Sequence, residues 1–309
     1  MKTSSGTLIV GRSLLRQQQP ISRQKYQGFT LVELVIVIVL LGIMATGITS
    51  FISLSTQTYI NVADRDELIA SARFAVERLN RELRNAVPNS IRIVANASIP
   101  VSDQCIEFMP IVASTTYLDI PVAPEPPSST ITVVPFVAAD NVNDYTCGVV
   151  NYCSDFVAVY PITSDDLYGS PIDNVGKVFS LTNFTPPLSA SSEWTLSFAG
   201  GAKTFDADSP TQRLYIINQP VSYCVSNGKL TRYNDYGIAS PPSTDPTASG
   251  AGSSVLMANN LELIANSGLP FRYSAPSLQR NAVVQIKLHF NLNGEKIVFN
   301  QEVHIQNIP

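Results

Sequence analysis

The chain has 309 residues, 45 % of them hydrophobic and 14 % charged, with a formal net charge of −4 at pH 7. Apolar content of that order supplies a sizeable core, and the acidic balance excludes a general nucleic-acid-binding surface, which needs clustered positive charge. The charge is uneven: Lys2, Arg12, Arg16, Arg23 and Lys25 stand before Phe29 with no acid among them, and the remainder carries 15 basic against 24 acidic residues, a net of −9.

Behind this basic head comes an apolar run. From Leu34 to Ala63 no residue is formally charged, and as far as Leu54 the run is Val, Ile, Leu, Gly and Ala with a few small polar residues. About 20 apolar residues at ~1.5 Å each cross a hydrocarbon core, so residues 29–54 can span a bilayer. Basic residues beside a membrane segment stay on the cytoplasmic side. The expected topology is therefore single-pass, with the N-terminus cytoplasmic and the bulk of the chain exported to the periplasm. No small-x-small cleavage site follows a short hydrophobic core, so the apolar run is expected to stay in the mature protein.

At the head of the run stands Gly28-Phe29-Thr30-Leu31-Val32-Glu33. A carboxylate in the apolar region costs about 2.5–3.5 kcal/mol on insertion scales, so Glu33 needs a cationic partner. Cutting the chain between Gly28 and Phe29 creates an α-ammonium four residues before Glu33, and the same group on a neighbouring copy could neutralise the acid. This pattern resembles the type IV prepilin family. The resemblance implies that residues 1–28 are a leader, that a prepilin peptidase cleaves after Gly28 and N-methylates Phe29, and that Glu33 serves subunit assembly. The blander account is a signal anchor with a stray acid.

No proline occurs between Pro20 and Pro88, so one helix is expected over residues 29–87, about 90 Å at the standard rise. Its second part, residues 55–87, turns amphipathic: Leu68, Ala72, Ala75 or Val76, Leu79, Leu83 and Ala86 make one apolar stripe. Arg73 with Glu77, Glu77 with Arg81 and Arg78 with Glu82 place opposite charges four residues apart on the wet faces.

After Pro88 the period changes to two. Candidate strands cover residues 91–94, 105–109, 131–137, 156–162, 177–181, 194–198 and 213–218, with loop-like composition at 121–130 and 240–254. Asn227-Gly228 joins strands 221–226 and 229–234, and Asn293-Gly294 joins 283–292 to 295–305. The second hairpin registers Phe290 with Ile297, Leu288 with Phe299 and Val284 with Val303, leaving His289 and His304 on the outer face. The expected fold class is α+β: a long N-terminal helix, membrane-spanning then amphipathic, packed on a C-terminal antiparallel β-sheet domain over residues 88–309.

Cys105, Cys147, Cys153 and Cys224 all lie in the exported part, where disulfides form. Three pairings are possible; the favoured one joins Cys147 to Cys153 in a small loop and Cys105 to Cys224 over a long one. With two histidines and no paired CxxC, a metal site is the weaker alternative. Acids at Asp140, Asp144, Asp165, Asp166 and Asp173 could hold Ca²⁺, but their spacing is generic and suits solvated loops. GxSxG, HExxH, P-loop and dinucleotide motifs are all missing, so neither enzymatic activity nor a cofactor is expected.

Three further stretches carry a narrower resemblance. They are Ser-Ala-Arg-Phe-Ala-Val-Glu-Arg-Leu-Asn-Arg-Glu-Leu-Arg-Asn-Ala-Val-Pro ending at Pro88, Val221-Ser-Tyr-Cys-Val-Ser-Asn-Gly-Lys-Leu-Thr-Arg232, and the closing segment 278–309. These are similar to J-type minor pseudopilins of type II secretion and, more closely, to the MshO family of MSHA pilus biogenesis proteins. That resemblance implies a minor pilin that assembles with other minor pilins and the major pilin, on an inner-membrane platform, to prime or cap a pilus. A type II secretion pseudopilin and a filament-displayed adhesin are the alternatives. Residues 95–210 carry no resemblance, and Ser50 stands where major pilins have a helix-kinking proline.

Overall fold

The computed structural model describes residues 28–96, 103–137, 145, 147, 154–169, 174–185, 193–239, 242–248, 250–263, 268–276 and 280–306. The first element is α1, Leu31–Arg84, 54 residues of unbroken α-helix that pass Ser50 without interruption. Its most apolar window has a mean hydropathy of 2.7 and no buried residue. Thr46 and Thr49 return their hydroxyls to the carbonyls of Ile43 and Ala45 at 2.8 Å, so these polar groups are satisfied within the helix and tolerate an apolar surrounding.

The chain divides into two compact units, Met1–Gln57 and Thr58–Pro309. In the second unit, α1 buries Leu68, Ala72, Ala75, Val76, Leu79 and Leu83, the stripe that its sequence spacing marks out. The helix stops at Arg84, short of residue 87. Pro88 disfavours helical geometry in the residue before it. Asn85 and Ala86 accordingly tighten onto Glu82 and Leu83, and Val87 donates its N–H to Met109 O at 2.9 Å.

The rest of the unit is mostly strand. In chain order come β1 (Arg92–Ala95), β2 (Gln104–Phe108), β3 (Ile111–Asp119), β4 (Thr130–Val133) and β5 (Phe156–Val159). A short helix α2 (Ser164–Tyr168) leads to β6 (Val175–Gly176), β7 (Val178–Thr185), β8 (Trp194–Phe198), β9 (Thr204–Phe205) and β10 (Arg213–Ile217). Then follow β11 (Val221–Ser226), β12 (Lys229–Asn234), β13 (Ser253–Ala258), β14 (Phe271–Ser274), β15 (Ala282–Leu292) and β16 (Glu295–Ile305). The fold is α+β; among the described residues the strand ladders are antiparallel except for the short parallel pair β6 and β9, beside which Val122 makes a parallel bridge to Phe205.

Two sheets cover the helix. One has the order β1-β2-β11-β12-β13, the other β14-β15-β16. Their inner residues, among them Ile106, Phe108, Tyr223, Leu230, Ile286 and Phe290, form one core with the α1 stripe. Both Asn-Gly turns take the left-handed conformation at both central positions, with φ of 50° and 72° at Asn227 and Gly228 and 51° and 94° at Asn293 and Gly294. Two-residue turns of that kind match strand twist and fix register. Phe290 opposes Ile297, Leu288 opposes Phe299, and Val284 opposes Val303.

The middle of the chain makes a separate closed barrel, in the order β10-β3-β4-β8-β7-β5. Sequence spacing alone did not place β3, β6, β9, β13 or β14, and it extended the strand at β4 by four residues. The barrel has its own apolar filling, with Phe179, Phe198 and Phe205 packed edge to face at 5.0–5.9 Å. It is inserted between β2 and β11, which are themselves neighbours. Cys105 and Cys224 face each other across that pair and are joined by a disulfide, which closes the neck of the insertion. Cys147 is also disulfide-bonded; Cys153 lies outside the described residues.

Candidate processing and assembly site

Gly28, Phe29 and Thr30 form a non-helical lead-in, and Leu31 is the first helical residue. The Gly28–Phe29 peptide bond therefore lies outside the helical hydrogen-bond ladder, between exposed residues. Among the described residues a Cβ placed on Gly28 would meet nothing within 4 Å, so packing against them does not require the glycine. Phe29 is 78 % exposed, and Leu31, Val32 and Leu34 are exposed with it.

Thr30 caps the helix. Its Oγ1 accepts the N–H of Glu33 at 3.3 Å, and its carbonyl accepts the N–H of Leu34 at 3.2 Å. The capping role satisfies one of the N–H groups that every helix start leaves open. Thr30 and Glu33 also have the spacing of a capping box, a Thr three residues before a Glu. Thr30 is thus a functional residue of the site beyond the motif residues Gly28, Phe29 and Glu33, and its spacing to Glu33 is the sequence signal for it. The cap fixes the first turn, and so fixes the direction in which Glu33 leaves the helix. Glu33 is exposed, and no ion pair within the chain takes it among the described residues.

The head of α1 thus combines a peptide bond outside the helical ladder, a capped helix start and, on an apolar surface, an acid that no ion pair takes among the described residues. Residues 23–49 match the prokaryotic N-terminal methylation motif. The chain carries a type IV pilin-like prepilin signal. The motif supports a pilin or pseudopilin family assignment, and with a single N-terminal apolar helix it fits a single-pass inner-membrane protein processed by prepilin peptidase and assembled with other pilins. No curated protein and no solved structure matches the chain.

The other candidate residues lie elsewhere. Asp166 is the acid of the α2 cap: its Oδ2 accepts the N–H groups of Ile162 and Thr163 at 2.8 and 2.9 Å and pairs with Lys177 Nζ at 3.0 Å. Burial pushes the Asp166 carboxyl up, but the Thr163, Lys177 and Ile162 hydrogen bonds outweigh it and hold the group below the usual carboxylate range. Oδ2 is thereby committed to the cap and to Lys177. Asp140, Asp144 and Asp173 lie outside the described residues, as do residues 1–27. Among the described residues no group of three or more His, Cys, Asp or Glu is arranged to hold a metal ion. His289 and His304 stand on the outer face of the β15–β16 hairpin; partial burial, then Lys287, pull the His289 ring below its ordinary pKa against the opposing pull of Glu262.

Proposed function

We propose that this chain is a minor pilin or pseudopilin that assembles with other minor pilins to prime or cap a type IV-like, MSHA-type pilus. The observation that carries the reading is Glu33, an acid on the exposed apolar face of α1 at the head of a prepilin signal. Cleavage after Gly28 would place the new ammonium of Phe29 at the end of the same helix. In a bundle of such helices, the ammonium of one subunit can meet the Glu33 of the next. That pairing neutralises both charges in a low-dielectric surrounding and selects one axial stagger between subunits.

In this reading the first unit is the membrane anchor and later the fibre-core helix, and the second unit is displayed on the periplasmic side and chooses its neighbours. Its partners are the other minor pilins, the major pilin, the prepilin peptidase, the inner-membrane assembly platform and the surrounding lipid. It has no catalytic role, and the disulfides Cys105–Cys224 and Cys147–Cys153 hold the exported domain. The similarity of residues 71–88 to J-type proteins keeps a type II secretion pseudopilin as the second reading. Counting surface fibres and measuring secreted protein in a strain lacking the chain tests both: lost fibres with intact secretion supports the pilus, and the reverse supports secretion.

A further inference from the structure

The outer face of the β14-β15-β16 sheet holds a cleft of about 200 Å³ lined by Gly268, Leu269, Arg272, Gln285, Lys287, Asn300 and Glu302. Strand register builds it. Arg272, Gln285 and Glu302 lie opposite one another in one row across the three strands, and Lys287 and Asn300 make the next row. All five point away from the core, because their neighbours Phe271, Ile286 and Leu288 are buried.

The arrangement is specific in three respects. First, Arg272 has no acid or carbonyl partner among the described residues, yet its guanidinium is folded back against the main chain of Gly268. A Cβ at Gly268 would stand 3.3 Å from the Arg272 Nη2, and the residue has φ +92°, so glycine supplies both the backbone conformation and the space. Second, the cleft carries two cations against one acid, a local charge of +1 in an acidic protein. Third, the acid is held in place: Gln285 Nε2 donates to Glu302 Oε1 at 3.0 Å, leaving Glu302 with acceptor capacity toward the cleft.

A ligand suited to this lining bears a single negative charge, hydroxyl donors for Glu302, and groups that pair with the amides of Gln285 and Asn300. A phosphate or sulfate would bring acceptors alone toward Glu302. The partly exposed Leu269 offers an apolar wall to a ring's C–H face, and the volume suits one sugar ring. We propose that the cleft binds a carboxylated sugar residue of an acidic glycan, its carboxylate taken by the forked Arg272 beside the positive charge of Lys287, and its hydroxyls by Glu302 and Asn300. The site would give the displayed domain a surface-recognition role separate from subunit assembly, and it does not depend on that assembly.

The test is titration calorimetry on the full chain in detergent micelles, with glucuronate as probe and glucose and acetate as controls. Glucuronate should bind, glucose and acetate should bind at least about tenfold more weakly, and Arg272→Gln should weaken glucuronate at least about tenfold with an unchanged melting temperature. Arg272→Lys, which keeps the charge and loses the fork, should fall between. The proposal is overturned by absence of glucuronate binding, by equal affinity for acetate or glucose, or by wild-type affinity in Arg272→Gln. Fibre assembly should be normal in Arg272→Gln, so failure here and failure of the assembly reading are told apart.

Discussion

Glu82 on α1 and Arg232 on β12, 150 residues apart in sequence, meet at 3.0 Å, and Arg78 reaches the same carboxylate from one helical turn away, also at 3.0 Å. Arg232 continues to Asn234 Oδ1 at 2.8 Å. The Glu82 and Arg232 side chains retain 19 % and 16 % of their exposure, so the trio is screened from water without being sealed from it. Arg73 with Glu77 and Glu77 with Arg81, at the same helical spacing, form no ion pair among the described residues. A helix-surface pair adds little, whereas the one that recruits a third partner from the sheet locks the helix against it.

Removing that acid should be costly to the domain. Glu82→Ala leaves two arginines facing each other over the core, and an intermediate burial puts the loss at about 2 kcal/mol, between exposed and fully buried pairs. Urea denaturation of the detergent-solubilised chain, followed by circular dichroism, should show a lower midpoint with an unchanged slope. Glu82→Ala unfolding at the wild-type midpoint would show that the trio is surface decoration.

The Cys105–Cys224 bridge encloses the whole barrel, with a sequence separation of 119. In the chain-entropy model a loop of that size is worth about 4–5 kcal/mol. The double change Cys105→Ser with Cys224→Ser should lower the unfolding midpoint strongly, and a peptide map of the oxidised wild type should show the Cys105–Cys224 linked fragment. Fragments linking Cys105 to Cys147 or Cys153 would contradict the fold at its neck.

Asp155 gives a pH signature. It is buried and accepts the Tyr145 hydroxyl at 2.8 Å. Burial raises its carboxyl above the usual range, against the Tyr145 bond that lowers it. A raised folded value means that the native state holds this proton more tightly than the unfolded chain, so its contribution to stability falls as pH rises from about 3.9 through the raised value and then levels off. Asp155→Asn should remove that part of the pH dependence and be at least as stable as wild type at pH 8. Parallel stability curves for the two proteins between pH 4 and 8 would rule this out.

Processing is tested at the lead-in. A Cβ on Gly28 meets nothing among the described residues, so Gly28→Val should fold and insert normally. It should nevertheless remain full length in the membrane, because the bulk is placed at the bond to be cut. Mass spectrometry of wild-type fibres should give a chain beginning with N-methylated Phe29; an intact leader on fibre-associated protein would refute the assignment of this bond.

How much of this was written in the sequence depended on the range of the contacts. The turn and register of the β15–β16 hairpin were legible, with the first strand starting one residue earlier than its spacing marks, since alternation and an Asn-Gly turn are local signals that agree. The α1 stripe was legible for the same reason, with Leu68, Leu79 and Leu83 at helical spacing. The barrel was not. It closes by pairing β10 with both β3 and β5, strands separated by tens of residues, and no short pattern announces such a partner. β3 itself, Ile-Val-Ala-Ser-Thr-Thr-Tyr-Leu-Asp, mixes polar and apolar residues because one face is barrel core and the other wet. β14 has four residues, too few to show a period, and β13 begins in the Ser- and Gly-rich stretch 240–254, whose composition reads as loop. At the site, Gly28, Phe29 and Glu33 were legible as a motif, while Thr30 is signalled only by its three-residue capping-box spacing to Glu33.

The central claim is that Glu33 acts between subunits. Glu33 makes no ion pair inside the chain among the described residues, so its loss should leave folding, membrane insertion and leader cleavage intact. In an assembled bundle, Glu33→Leu would strand the neighbour's ammonium in a low-dielectric site, at about 3–5 kcal/mol for a broken buried pair. The direct measurement is co-purification of the Glu33→Leu chain with its minor-pilin partners from detergent-solubilised membranes, alongside a count of surface fibres. The account predicts normal amounts of processed protein, loss of partner co-purification and few or no fibres. Wild-type partner recovery together with wild-type fibre numbers would contradict it.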